Sequence, residues 1–214
     1  FRTMVNELTS EPASSSLQPR VYPAESDREL AARLFARLGG DGTEPVVACA
    51  LRTRQASGNW PVHVMLEVLR AAREQRSFHV VFCGGPADRS ALADLALQFP
   101  YASSVSAGDA GVLGFAAFLE KCAALFTLDS GPRHIGNAVG VPVVFARNLA
   151  HSMVEAGAYC ETETDIAPAV EYLDNTETAG VARNQSVGAL AAVLLGAISA
   201  SDRPASFLRS TVRP

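Results

Sequence analysis

The chain has 214 residues, 48% of them hydrophobic and 19% charged, with a formal net charge of -4. That length and composition suit one globular domain or a small pair with a sizeable buried core. The acidic balance argues against the broad basic surface that a nucleic-acid backbone needs, while leaving room for a local basic pocket.

The first residues, "FRTMVNELTS", have neither an initiating Met nor the charged-then-apolar start of a signal peptide, which reads as a chain beginning inside a longer protein. Residues 10–24, "SEPASSSLQPRVYPA", are rich in Ser and Pro, so 1–24 reads as a linker or the remnant of a preceding domain. "SDRE" at 26–29 then has a capping-box pattern, Leu30, Leu34, Phe35 and Leu38 make a helical stripe, and Gly39-Gly40 supply a stop. Short apolar runs follow: "PVVACAL" at 45–51, "FHVVFC" at 78–83, "ALFTL" at 124–128 and "VPVVFA" at 141–146. Runs of this kind suit strands buried on both faces, and "YASSV" at 101–105 is a further strand candidate. Between them lie the helical patterns "WPVHVMLEVLRAAREQ", "PADRSALADLALQF" and "VLGFAAFLEKCA", with Pro61 and Pro86 suited to first helical turns. The alternation predicts an α/β fold, a Rossmann-like parallel sheet with helices on both faces. The apolar stretch 187–200 is shorter than the roughly 20 residues of a spanning helix and reads as a buried helix. Residues 25–200 form the predicted domain and 201–214 a tail.

Cys49, Cys83, Cys122 and Cys160 belong to no metal-ligand spacing, and reduced thiols inside a cytosolic protein fit the apolar surroundings of Cys49 and Cys83. No metal site is read from the sequence. In an open parallel sheet, ligands gather where strands hand over to helices. Four such turns are polar or Gly-rich: "RTRQASGNWP", "GGPADR", "DSGPRH" and "RNLAHS". In the third, Asp129 ends a strand, Ser130 or Gly131 can cap the next helix, Pro132 fits its first turn, and Gly140 closes it before Pro142. Such a helix start offers free N–H groups and a positive dipole end to phosphate, with Arg133 and His134 adding charge and hydrogen bonds. The competing reading is that Asp129 and Ser130 only cap the helix while Arg133 and His134 face water. Gly84 and Gly85 either admit a ligand or make a tight turn, and Asp88 either accepts from a ribose or serves the helix dipole. Thr53 and Arg54 are candidate phosphate-facing groups, Trp60 a packing residue, His63 and His79 structural, and His151 a candidate without support. The sequence lacks the glycine spacing of dinucleotide oxidoreductases and the P-loop, zincin and hydrolase motifs.

"NWP" opening a helix, "VVFCGGPADR" and "LDSGPRHIGNAVGVPVV" together resemble glycosyltransferase family 9, the lipopolysaccharide heptosyltransferases and their relatives, over about residues 45–147. The last motif matches the family's Asp-(Ser/Thr)-Gly-x-x-His turn, small-residue helix and Gly-x-Pro strand. The resemblance implies a GT-B architecture, two Rossmann-like domains across a cleft, with this chain as the carboxyl-terminal, donor-binding one. It implies sugar transfer with inversion and without a metal or cofactor, from a nucleotide diphosphate donor, an ADP-linked one being a candidate, to a glycan or glycolipid acceptor. The general base would come from the missing amino-terminal domain. A cytoplasmic place at the inner face of a bacterial inner membrane, with peripheral membrane contact, goes with that function. Asp129, Ser130, Gly131 and His134 fall on the donor signature, Thr53 and Arg54 on a diphosphate loop, and Gly84, Gly85 and Asp88 on a nucleoside turn. Two positions depart from the family pattern: Gly58 stands where a Lys is usual, and "ARN" at 146–148 replaces a Gly-Pro-Thr-like turn. With Lys121 the only lysine, the diphosphate contact passes to Arg52, Arg54 or Arg133 or is lost. A catalytically inactive nucleotide-sugar-binding or assembly module of the same fold is the alternative.

Overall fold

A computed structural model of the chain describes residues 19–38, 44–55, 57–170 and 172–201. Six strands, β1 (Val46–Ala50), β2 (His79–Gly84), β3 (Ala102–Ser106), β4 (Ala124–Leu128), β5 (Val143–Ala146) and β6 (Glu163–Asp165), form one sheet in the order β3-β2-β1-β4-β5-β6. Every pairing is parallel. The helices among the described residues are α1 (Glu25–Arg37), α2 (Val62–Gln75), α3 (Arg89–Gln98), α4 (Gly111–Glu120), α5 (Gly131–Val139), the single turn α6 (Met153–Ala156), α7 (Asn175–Arg183) and α8 (Val187–Ser201).

The strands are continuous apolar runs because both sheet faces are covered. Val47, Cys49 and Leu51 point into one core with Val64 and Leu69 of α2, Leu92 of α3, and Leu190, Leu194 and Ile198 of α8. Ala48, Ala50, Val81 and Cys83 point the other way, against Ala31 and Leu34 of α1 and Phe115 and Phe118 of α4. The result is the expected three-layer α/β fold. All four cysteines are buried and free.

Several local expectations change. The start of α1 is capped by Ala24 rather than by Ser26, because Asp27 Oδ2 accepts the Ala24 N–H at 2.8 Å. The carboxylate one turn in thus does the capping that the sequence pattern assigned to a serine. Pro61 sits just before α2 as its N-cap, and Pro86 opens a 3-10 turn, Pro86–Asp88, that precedes α3. The "YASSV" candidate is the edge strand β3, shifted by one residue, and its polar face is that of an edge. β6 has no apolar run to announce it, since "ETD" reads as a charged turn. The helix at 187–200 buries one face, Leu190, Ala191, Leu194 and Ile198, rather than its whole circumference. Among the described residues no single helix is long and apolar enough to cross a membrane. Gly39-Gly40, residues 1–18 of the expected linker and 202–214 of the expected tail lie outside the described residues.

Candidate functional site

The strand order reverses between β1 and β4, and such a reversal opens a crevice at the carboxyl edge of a parallel sheet. Register fixes the polar turns side by side there. Cys49 pairs with Phe82, Ala50 with Thr127, and Leu128 with Ala146, so the turns after β2, β1, β4 and β5 follow one another along the edge. Side chains tie neighbouring turns together. Arg52 Nε donates to Asp88 Oδ1 at 3.0 Å, joining the β1 and β2 turns, and Gln55 Nε2 lies 2.9 Å from His151 Nε2, joining the β1 and β5 turns.

The turn after β4 starts α5 as expected, but its serine does not cap it. Ser130 has extended backbone and makes no side-chain cap bond; its hydroxyl lies 3.3 Å from Leu128 O instead. Pro132 occupies the first turn, and Gly140, at φ 79°, ends the helix where a left-handed residue is needed. Gly131 is exposed, and a Cβ there would meet nothing within 4 Å. The first turn of α5 therefore presents an end without a side-chain cap at the crevice, with the positive end of its dipole outward.

Arg133 corrects the sequence reading most sharply. Neither solvent nor ligand faces it, for the residue is 1% exposed and all five of its N–H donors are taken. Nε and Nη2 donate to the two oxygens of Glu163, Nη1 donates to Asp129 Oδ1 at 2.8 Å and to Ala156 O at 2.8 Å, and Nη2 donates to Gly157 O at 2.7 Å. Its guanidinium also lies 3.6 Å over the Phe145 ring. Burial works against its charge, but the bonds to Glu163 and Asp129 more than offset this and hold its pKa above the usual value. A guanidinium without a spare donor cannot clamp a diphosphate. Asp129 accordingly braces this turn through Arg133.

The other predicted residues divide in the same way. Asp88 accepts from the Gly85 N–H at 3.1 Å as well as from Arg52, so its carboxylate closes the Gly84-Gly85 turn. A Cβ at Gly84 would lie 3.1 Å from Asp88 Oδ2, which makes the tight-turn reading sufficient for that glycine. Thr53 Oγ1 accepts the Gln55 N–H at 3.2 Å, and Arg54 is exposed with no ion pair among the described residues. Trp60 is buried in the core, and the half-buried His79 bonds Ser103 Oγ at 3.0 Å, while His63 is exposed on α2.

The two departures from the family pattern touch each other. Gly58 has φ +71°, and a Cβ on it would overlap Asn148 Oδ1 and the backbone N of Ala150. Asn148, 2% exposed, donates to Ser57 O at 2.9 Å, while Leu149 N–H donates to Gly58 O at 2.9 Å and Gly58 N–H to Asn175 Oδ1 at 2.9 Å. A glycine in one loop and an asparagine in the other thus meet in one contact. Next to them Arg147, fully buried, bonds Asp165 Oδ2 at 3.0 Å and the Pro168 carbonyl at 2.8 Å. His134, by contrast, is exposed at the α5 start, with Nδ1 2.7 Å from the Tyr159 hydroxyl.

The family model for glycosyltransferase family 9 (heptosyltransferase) matches residues 7–166 of this chain. The chain belongs to glycosyltransferase family 9. No curated protein sequence matches it. Among solved structures, a glycosyltransferase of the same family from Veillonella parvula is 24% identical with a TM-score of 0.57, over 67% of this chain and 41% of that one. The E. coli ADP-heptose lipopolysaccharide heptosyltransferase II has a TM-score of 0.68 at 14% identity, over 90% of this chain and 57% of that one. E. coli heptosyltransferase WaaC with ADP has a TM-score of 0.54 at 16% identity, over 78% and 48%. At these identities the likeness is one of fold, a Rossmann-like α/β unit of GT-B glycosyltransferases. The family 9 chain thus spans between 41% and 57% of the length of these relatives.

Sequence reasoning missed Tyr159, Glu163 and the Asn148 contact. One signal was present: Arg133 and Asn137 stand four apart on a short helix, hence on one face, and both donate to Glu163. The matching acid lies 26 and 30 residues away on an unannounced strand.

Proposed function

We propose that this chain is the donor-binding part of a glycosyltransferase that moves a sugar, with inversion, from a nucleoside diphosphate to a glycan or glycolipid acceptor. The observation that carries the reading is the placement of the family's Asp-Ser-Gly-x-x-His turn at the carboxyl edge of β4, beside the strand-order reversal, at the start of a helix without a side-chain cap. Departure of a nucleoside diphosphate leaves charge on its terminal oxygens, and preorganised donors aimed at that charge lower the barrier. Here those donors are the Gly131 and His134 N–H groups in the first turn of α5, since Pro132 has none and the Arg133 N–H donates to Ser130 O, together with the exposed side chains of Arg54 and His134. Gly131 leaves room for a phosphate to approach, Thr53 shapes the loop that carries Arg54, and the turn from Gly84 to Asp88 borders the nucleoside. Activating the acceptor hydroxyl needs a base, which we assign to a domain outside this chain, and no metal or cofactor enters the reading. ADP-linked heptose is the donor to try first, since relatives are described with ADP and ADP-heptose. A cytoplasmic enzyme working beside a membrane-held acceptor in lipopolysaccharide synthesis fits this chemistry.

A second reading, a donor-binding module without turnover, is favoured by one observation: Arg133, with all five donors used, and the fully buried Arg147 are both turned inside the protein, which withdraws two cations from the exposed edge. Thermal unfolding against ADP, UDP and their sugar conjugates tests both. A nucleotide at about 100 times its dissociation constant adds about 2.7 kcal/mol of stability, and Arg54→Ala should weaken that binding roughly tenfold, as loss of one charge-assisted hydrogen bond does. Absence of any nucleotide-dependent shift in the wild type rejects both readings, while binding without transfer from a matched donor and acceptor selects the module.

A further inference from the structure

The loop between α6 and β6 has no regular structure from Gly157 to Thr162, yet it is anchored along its length from within. Arg133 holds the carbonyls of Ala156 and Gly157, and Glu163, itself held by Arg133 and Asn137, accepts the Tyr159 N–H at 3.0 Å. The buried pair therefore fixes both the entry of the loop and the backbone of Tyr159. From that backbone the Tyr159 ring stacks on His134, with centroids 5.7 Å apart and an interplanar angle of 22°, and its hydroxyl reaches Nδ1 at 2.7 Å.

We propose that Tyr159, hung on the buried Arg133–Glu163 pair, is a positioning residue that donates its hydroxyl to His134 Nδ1 and so presents Nε2–H to an anionic oxygen of the ligand. The inference rests on the reading that this edge takes a nucleoside diphosphate. In a neutral imidazole one nitrogen donates and the other accepts, and the partner of the first decides what the second can do. A phenol that donates to Nδ1 leaves Nε2 as the donor, the form an anion can use. The opposite arrangement would turn the Nε2 lone pair toward the anion and repel it. Burial pushes the Tyr159 phenol above its usual pKa, which keeps its proton available. The ring stack restrains the imidazole on a surface where both His134 and Tyr159 are exposed.

Two measurements on the chain test this. Long-range nitrogen–proton NMR of the ligand-free protein at pH 8.5 should find His134 protonated on Nε2 alone, with Nδ1 showing the shift of a hydrogen-bonded acceptor that is lost in Tyr159→Phe. Protonation on Nδ1 in the wild type overturns the proposal. Calorimetric titration with ADP should then show Tyr159→Phe binding three- to tenfold more weakly, His134→Ala more weakly still, and Tyr159→Phe/His134→Ala no weaker than His134→Ala by itself. Independent, multiplying losses would show that Tyr159 does not act through His134 and would overturn it equally. If the wild type binds neither ADP nor UDP, the nucleotide reading fails, and the NMR result by itself decides whether Tyr159 sets the imidazole.

Discussion

Restoring the family lysine at Gly58 should not restore a diphosphate contact. The position has φ +71°, where a β-carbon is strained, and that carbon would overlap Asn148 and Ala150. Gly58→Lys is expected to cost about 3 kcal/mol, combining left-handed strain with overpacking. Urea denaturation measures the loss, and ADP affinity should not rise. A second residue-scale expectation concerns Glu163, whose side chain is fully buried against Arg133. Glu163→Ala leaves that guanidinium short of two acceptors, and breaking a buried pair in this way costs about 3–5 kcal/mol. Replacing both partners by apolar residues, Arg133→Met with Glu163→Leu, should recover part of the loss, as the buried guanidinium and carboxylate go together while the partly exposed Asp129 loses a donor. A single-variant loss below about 1 kcal/mol would show that Asp129 and the loop carbonyls suffice for Arg133.

At the scale of the element, α5 is held to the sheet by the absence of a side chain. A Cβ on Gly136 would sit 2.7 Å from Leu125 Cδ2 and 3.2 Å from methyl groups of Val141 and Val143. Gly136→Ala gains about 1 kcal/mol of helix propensity but meets overpacking of about 1–3 kcal/mol. The net change should be destabilising, and the shifted α5 should lower nucleotide affinity because its first turn and His134 move with it. Gly180 in α7 supplies the contrast. A Cβ there meets nothing within 4 Å, so Gly180→Ala should stabilise by about 0.5–1 kcal/mol without touching binding. Equal effects at the two glycines would show that contact with the sheet does not control α5.

Over the whole molecule, the two cores hold thiols that burial makes harder to ionise. Burial pushes Cys83 from 9.0 up to about 12, and raises Cys49 and Cys122 well above that ordinary value. Below pH 9.0 these thiols are neutral in both folded and unfolded chains, so their contribution to stability is complete. Above it the unfolded chain loses protons that the folded chain keeps, and stability falls, the Cys83 share of the fall ending once its folded value of about 12 is passed. Denaturation midpoints measured from pH 7 to 10 under reducing conditions should therefore hold steady and then drop. Conversion of Cys83 and Cys122 to Ala should flatten the drop even if it lowers the plateau.

The sequence alone determined those features that depend on neighbours along the chain. Continuous apolar runs such as "ALFTL" announced strands buried on both faces, Gly140 before Pro142 announced the end of α5, and the Asp129–His134 turn announced the family and its own place at the carboxyl edge of the sheet. Only the tertiary structure decided which charged groups are available there. Arg133 and His134 are adjacent in a polar cluster and look equivalent as residues, yet a helix turns them about 100° apart, one toward buried Glu163 and the other to the surface beside Tyr159. Glu163 lies on a three-residue strand too short and too polar to carry a periodic signal, and the Gly58–Asn148 contact spans 90 residues. Pairings of that kind are set by how strands register and loops meet, which local residue preferences do not encode.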